Sequence, residues 1–279
     1  MKFHFEPNLD YQRDAIEAVC GLFHGQETCR TEFTVTRDAA SGQMSLLEND
    51  LGIGNRLTLL DDELLANLHA IQLRHGLAPS ASLASGDFTV EMETGTGKTY
   101  VYLRTVFELN KRYGFTKFVI VVPSVAIKEG VYHTIETAAE HLKGFYAGAP
   151  FDFFIYDSAK LGQVRNFATS PQIQIMVMTV GAINKFGDEQ QAQTEEADEV
   201  ARRENSKNVM YRPSEKTGGE KPIDLIRATR PILIVDEPQS VEGGLDGKGK
   251  KAMERMIPLC NLRYSATPKE AHHMVFKLD

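Results

Sequence analysis

Two short stretches carry side chains whose types and spacing could do chemistry together. The first is TGTGKT, residues 94–99. Cradling a phosphate takes glycines, which let successive backbone N–H groups turn inward around anionic oxygens. It also takes a helix starting at that point, whose N-terminal dipole favours the anion. A lysine for the terminal phosphates and a hydroxyl for Mg²⁺ complete the requirement. Gly95 and Gly97 supply the turn, Lys98 the charge and Thr99 the metal hydroxyl, with Thr94 and Thr96 filling out the nucleotide-contacting set. The general pattern G-x-x-x-x-G-K-[ST] wants glycine where Met92 stands. The tighter TGTGKT, set between a strand pattern and a helix pattern, compensates for that departure.

A phosphate cradle alone does not specify hydrolysis, which needs a carboxylate near the metal at the end of a buried strand. The second stretch, ILIVDEPQ at 232–239, has four apolar residues followed by Asp236 and Glu237. Asp236 is expected to hold Mg²⁺ through its water shell. Glu237 is expected to polarise the attacking water as general base. Together the two stretches read as a site for ATP and Mg²⁺. Near the start, LDYQRDAIEAV places Gln12 on an amphipathic helix, where its amide offers both a donor and an acceptor to the edges of adenine. After a later strand, VVPSVAIKEG could present backbone N–H groups to nucleic-acid phosphates. In YSATP, Ser265 and Thr267 can bond to the acidic motif and sense the nucleotide.

Positioning these residues requires a particular kind of fold. FTVEM (88–92), KFVIVVP (117–123), FDFFIYD (151–157), IQIMVMT (173–179), PILIVDEP (231–238) and NLRYSATP (261–268) read as strands. Helical patterns follow the glycine loop and cover roughly 125–142. KFVIVVP is apolar enough to be buried on both faces, as strands of a parallel sheet are. The alternation predicts an α/β fold with a mostly parallel central sheet flanked by helices, its core running from about 86 to 279. A Gln-containing helix at about 8–26 precedes it. Residues 27–85 form an insertion containing a leucine-rich helix, and 187–221, dense in charge, read as a polar surface excursion.

A net charge of −7 argues against holding nucleic acid by bulk positive charge, and 42% hydrophobic residues support a substantial core. MKFHFEPNLD has no signal-peptide core, and no apolar run approaches the roughly 18 residues of a membrane helix. Three cysteines without a CxxC pair fit a reducing cytoplasm better than a disulfide framework. Cys20, His24 and Cys29 are close in sequence but have no fourth partner at zinc spacing.

In this order the motifs resemble those of superfamily 2 helicases: the Q motif, I, Ia, II and III. DEPQ in place of DEAD or DEAH moves the likeness away from RNA helicases. The chain looks most like the restriction (Res) subunit of type III restriction–modification enzymes. FTVEMETGTGKTYVYLRT, FTKFVIVVPSVAIKEGVY, YDSAKLGQVRNFATS, PILIVDEPQSV and LRYSATP carry the likeness, with YQRDAI before them. The resemblance implies a RecA-like lobe that couples ATP hydrolysis to communication along double-stranded DNA before cleavage, beside a site-reading methyltransferase (Mod) subunit. No membrane partner is implied. Ser124, Lys128 and Thr179 are candidates for the DNA track, while Arg263 is read as structural. By resemblance, a second lobe would supply an arginine finger, and a nuclease domain would lie downstream. The eleven residues after SATP accommodate neither, so the chain alone is expected to bind nucleotide weakly and cut nothing. Two other readings stay open: a helicase or translocase without a nuclease, and a nucleotide-binding regulatory module, against which Glu237 speaks.

Overall fold

The computed structural model describes residues 9–36, 49–179, 181–182, 209–241, 247–268 and 272–278. In chain order these form α1 (Asp10–Gly21), β1 (Arg30–Val35), β2 (Asp50–Asn55), α2 (Asp61–Arg74), β3 (Asp87–Glu91), α3 (Lys98–Tyr113), β4 (Lys117–Val122), α4 (Val125–Phe145), β5 (Phe151–Ile155), α5 (Gly162–Thr169) and β6 (Ile173–Thr179). Then come α6 (Pro222–Thr229), β7 (Ile232–Asp236), the single turn α7 (Pro238–Val241), α8 (Lys248–Glu254), β8 (Cys260–Ser265) and β9 (His273–Lys277). Among the described residues no helix is long and apolar enough to cross a membrane.

Seven strands make one sheet in the order β5-β6-β4-β7-β8-β3-β9, and each pairing between described strands is parallel. The apolar strands explain why. In β4, Phe118, Ile120 and Val122 enter one core while Val119 and Val121 enter the other. In β7, Ile232 and Ile234 divide from Leu233 and Val235 in the same way. A strand apolar at every position must be covered on both sides, and the period-two alternation of side chains shares it between two layers. Helices α1, α3 and α4 cover the first face. Helices α5, α6 and α8 cover the second. The expected α/β fold with its parallel sheet is the observed one.

Three features differ from the sequence-based expectation. The 27–85 region holds an antiparallel hairpin, β1–β2, in addition to the helix α2. Its strands, RTEFTV and DLGIGN, lack a clean apolar alternation: β2 is buried from Gly52 to Asn55 through two glycines and an asparagine as well as Ile53, where the hairpin lies close against its neighbours. Gly54 allows that contact: a Cβ there would lie 2.8 Å from the Ala228 carbonyl oxygen. Buried Asn55 then donates to the carbonyls of Lys117 (2.8 Å) and Arg230 (3.1 Å) and accepts from Thr116 N (2.9 Å).

The second difference concerns the polar excursion. Residues 187–208 lie outside the described residues, but 209–221 are tied in. Met210 and Thr217 are buried, and Arg165 of α5 donates to the Thr217 carbonyl at 3.1 Å while pairing with Asp50 at 2.6 Å. The third difference is β9. NLRYSATP is not the last strand, since β9 follows and pairs in parallel with β3 as the far edge of the sheet.

Candidate functional site

The order β7-β8-β3 places the ends of three strands side by side, and in a parallel sheet their C-terminal ends share one edge. β3 leaves that edge through buried Met92, whose N–H donates to the Ser265 carbonyl at 2.9 Å, locking the loop entry to β8. The chain then turns through Gly95 (φ 88°) and Gly97 (φ 83°), backbone that an L side chain rarely adopts. Thr96 Oγ1 closes the turn on the Glu93 carbonyl at 2.6 Å. Gly97 caps α3, so Lys98 and Thr99 occupy its first turn, where the helix dipole is positive.

From the other side α1 packs against this loop. Gln12 Nε2 donates to the Thr96 carbonyl at 2.9 Å and the Tyr11 hydroxyl donates to the same oxygen at 3.2 Å. Gln12 is only 5% exposed, and its Oε1 has no hydrogen-bond partner among the described residues. A Cβ at Gly97 would come within 2.7 Å of Gln12 Nε2 and push that amide aside, and the positive φ there favours glycine on its own account.

Asp236 ends β7 at 7% exposure. Burial pushes its carboxyl up to about 6; Lys98 opposes that rise and the neighbouring Glu237 adds to it. Glu237 sits in the left-handed region (φ 51°), unusual for a residue with a side chain and a source of about 1–3 kcal/mol of strain. Its N–H donates to the Tyr264 carbonyl at 2.9 Å, and its carbonyl opens α7 by accepting from Ser240 N at 2.9 Å. Held this way, one carboxylate oxygen pairs with the Lys98 ammonium. The other oxygen accepts from Gln239 Nε2 at 2.5 Å. Gln239 Oε1 in turn accepts from the Ser265 hydroxyl at 2.9 Å, and Ser265 Oγ accepts from Thr267 N at 3.1 Å. A continuous polar chain therefore runs from the glycine loop to the end of β8.

Ser265 thus bonds the DEPQ motif at Gln239 and reaches the Glu237 carboxylate through that amide, and Thr267 joins through its backbone N–H. Thr94 and Gly95 are exposed, and Thr96 through Thr99 half-buried. Ser124, Lys128 and Thr179 belong to the same edge, because β4 and β6 are neighbours with Val122 opposite Thr179. Each has a partner within the chain. Ser124 Oγ caps α4 by accepting from Ile127 N at 3.3 Å, Lys128 pairs with Glu129 at 3.3 Å, and Thr179 Oγ1 accepts from Ala182 N at 3.2 Å. Arg263 is buried on β8, its guanidinium 3.0 Å from Asp87. Burial alone would push the Asp87 carboxyl up, but Arg263 and Asn261 outweigh it and hold it below its ordinary value.

Sequence reasoning missed Gln239 and Tyr11. Gln239 stood in the quoted DEPQ, but its role depends on β7 and β8 being neighbours. Tyr11 adjoins Gln12, and helical spacing does not reveal that both reach one carbonyl.

The family described as "Type III restriction enzyme, res subunit" matches residues 8–270, a span that includes every site residue named above. Over 296 aligned residues the chain is 26% identical to the type III restriction-modification enzyme EcoP15I Res subunit of Escherichia coli, covering 99% of this chain and 27% of that protein. It is 25% identical, with the same coverage, to the EcoPI Res subunit of Escherichia phage P1. Over 190 residues it is 32% identical to the StyLTI Res subunit of Salmonella typhimurium, covering 64% of this chain and 18% of that protein. The chain spans about a quarter of the length of the first two of these relatives.

Proposed function

Because this chain belongs to the type III restriction enzyme Res-subunit family, we propose that it is a single RecA-like lobe that binds and hydrolyses ATP, driving movement or communication along double-stranded DNA. The observation that carries this reading is the polar chain Lys98–Glu237–Gln239–Ser265, which joins a phosphate-type loop, an acidic strand end and a neighbouring strand end.

In this reading the loop from Thr94 to Thr99 receives the phosphates, and Lys98 moves from Glu237 to their terminal oxygens. Glu237, freed from the ammonium and still held through its second oxygen by Gln239, accepts the proton of the attacking water. Gln239 and Ser265 transmit the change at Glu237 to β8 and Thr267. The unpartnered Oε1 of Gln12 is an acceptor suited to the exocyclic amine of adenine, and because it is buried beside the loop, the side chain must shift for the base to reach it.

The donors present also suit a hard cation: the Thr99 hydroxyl and the Asp236 carboxylate are oxygen ligands, and Asp236 is buried enough to favour a charge partner. When bound, Mg²⁺ would neutralise charge on the β- and γ-phosphates. Ser124, Lys128 and Thr179, on adjoining strand ends, are proposed for the DNA track. DNA cleavage and partnership with a Mod methyltransferase subunit are proposed for the assembly in which this lobe would serve. An arginine from a second lobe, which the family resemblance implies, would add ~10³–10⁵ in rate.

The test is ATP hydrolysis by the chain and by Lys98→Ala and Glu237→Gln, with and without duplex DNA, alongside nucleotide binding. Slow turnover lost in both variants, with binding kept in Glu237→Gln and lost in Lys98→Ala, is expected. Wild-type turnover in Glu237→Gln would remove that residue from the chemistry. Binding indifferent to Lys98→Ala would remove the cradle.

A further inference from the structure

Tyr11 and Gln12 are consecutive on the first turn of α1, yet both side chains donate to one atom, the Thr96 carbonyl oxygen, at 3.2 and 2.9 Å. That oxygen belongs to the peptide unit that also carries the Gly97 N–H. No peptide among the described residues is cis, and in a trans peptide the carbonyl and the N–H point to opposite sides of the chain. Anchoring the oxygen toward α1 therefore aims the Gly97 N–H away from α1. On one side of this peptide Thr96 is tied to the Glu93 carbonyl, but on the other Gly97, at positive φ, has no Cβ to resist its rotation. A Cβ added at Gly95 would meet nothing within 4 Å, so this part of the loop is open on its outer side.

We propose that Tyr11 is a positioning residue for phosphate binding: its hydroxyl, with Gln12, clamps the Thr96–Gly97 peptide so that the Gly97 N–H is presented to the terminal phosphates. The inference rests on the nucleotide-site reading above. The division of labour is chemical. Gln12 has two polar ends: Nε2 donates to the Thr96 carbonyl, while Oε1 is buried without a partner among the described residues and can meet a base only if the side chain shifts to expose it. Tyr11 contributes only to the peptide. Losing its hydroxyl therefore weakens recognition of any polyphosphate and leaves recognition of the base unaffected.

The experiment measures dissociation constants of the 279-residue chain for inorganic tripolyphosphate with Mg²⁺, and for ADP and GDP, comparing wild type with Tyr11→Phe, Gln12→Ala and Lys98→Ala. Loss of one neutral hydrogen bond predicts a roughly 3- to 10-fold weaker affinity for tripolyphosphate and for both diphosphates in Tyr11→Phe, with the ADP/GDP ratio unchanged. Gln12→Ala instead shifts that ratio as well. In parallel, the Gly97 amide ¹⁵N resonance, which responds to hydrogen bonding at the preceding carbonyl, moves in ligand-free Tyr11→Phe while amides remote from the loop stay in place. Tripolyphosphate affinity within twofold of wild type in Tyr11→Phe, with binding still lost in Lys98→Ala, overturns the proposal and leaves the nucleotide site standing. No Lys98-dependent binding of tripolyphosphate or ADP by wild type overturns both.

Discussion

Lys117 offers a sharp test of how this fold was assembled. It opens β4, is 0% exposed, and has no carboxylate partner among the described residues. Its ammonium lies at the C-terminal end of α5, donating to the carbonyls of Phe167 (2.6 Å) and Ser170, with the Phe167 ring centroid 5.7 Å away. The end of a helix dipole is favourable for a cation. Burial nonetheless disfavours the charge and pulls the group from 10.5 down to about 7. The folded state therefore releases this proton at a lower pH than the unfolded chain, which binds the extra proton between about 7 and 10.5. Stability rises with pH wherever the unfolded state holds more protons, so the penalty is full below pH 7 and shrinks by about 1.4 kcal/mol per unit above it.

From pH 6.0 to 8.5 this amounts to about 2 kcal/mol of added stability. Going higher would confuse the result. Burial raises the Cys20 thiol to about 12 and pushes Cys260 and Tyr264 up as well, and those groups act in the opposite direction once their unfolded counterparts ionise. Urea unfolding at the two pH values, for wild type and Lys117→Met, isolates the effect, since every other titration cancels in the difference. The variant also removes two hydrogen bonds to carbonyls, which shifts its stability by an amount independent of pH. The expected result is a wild type that gains about 2 kcal/mol more than the variant between pH 6.0 and 8.5. Parallel pH dependences would show that the buried ammonium keeps an ordinary affinity for its proton, and the burial reasoning would be wrong.

Other outcomes follow from the same contacts. Arg263→Ala removes the guanidinium from buried Asp87, leaving the Asn261 amide as a neutral donor, and should lower stability by up to about 3–5 kcal/mol in denaturant titration, with the Arg263→Ala/Asp87→Ala double variant losing less than the sum of the two single losses. Gln239→Ala leaves nucleotide affinity in place but frees the second oxygen of Glu237, so ATP turnover should fall on the order of 10–100-fold. Steady-state kinetics checks this; an unchanged kcat would detach Gln239 from the water-activating group. Ser124→Ala removes the cap of α4 and should cost about 1 kcal/mol of stability, recovered by Ser124→Asn, which can also cap. Thermal unfolding of both variants decides it.

Much of the architecture was legible because its causes are local. Strands such as KFVIVVP are apolar at every position, and only a sheet covered on both faces satisfies them. TGTGKT needs left-handed backbone at Gly95 and Gly97, which glycine provides whatever surrounds it. An acidic pair after ILIV must emerge at a strand end. These features are written in a few consecutive residues, so reading them requires no knowledge of what lies across the sheet.

The order of strands was not legible. Periodicity says that β3, β7 and β8 are buried, but not that β8 stands between the other two; long-range packing selects that order among arrangements that bury the same side chains. The selection made Gln239 a bridge from Glu237 to Ser265 and drew Tyr11 and Gln12 onto one carbonyl 84 residues and more away in sequence. It also seated the β1–β2 hairpin and the edge strand β9, whose Val275 and Phe276 join the core of the first face only because β3 lies beside them. The sequence alone determined which groups are available to do chemistry and the kind of layer that carries them. The tertiary structure decided which of those groups touch, because hydrogen bonds between distant segments exist only once packing has brought their strand ends to the same edge.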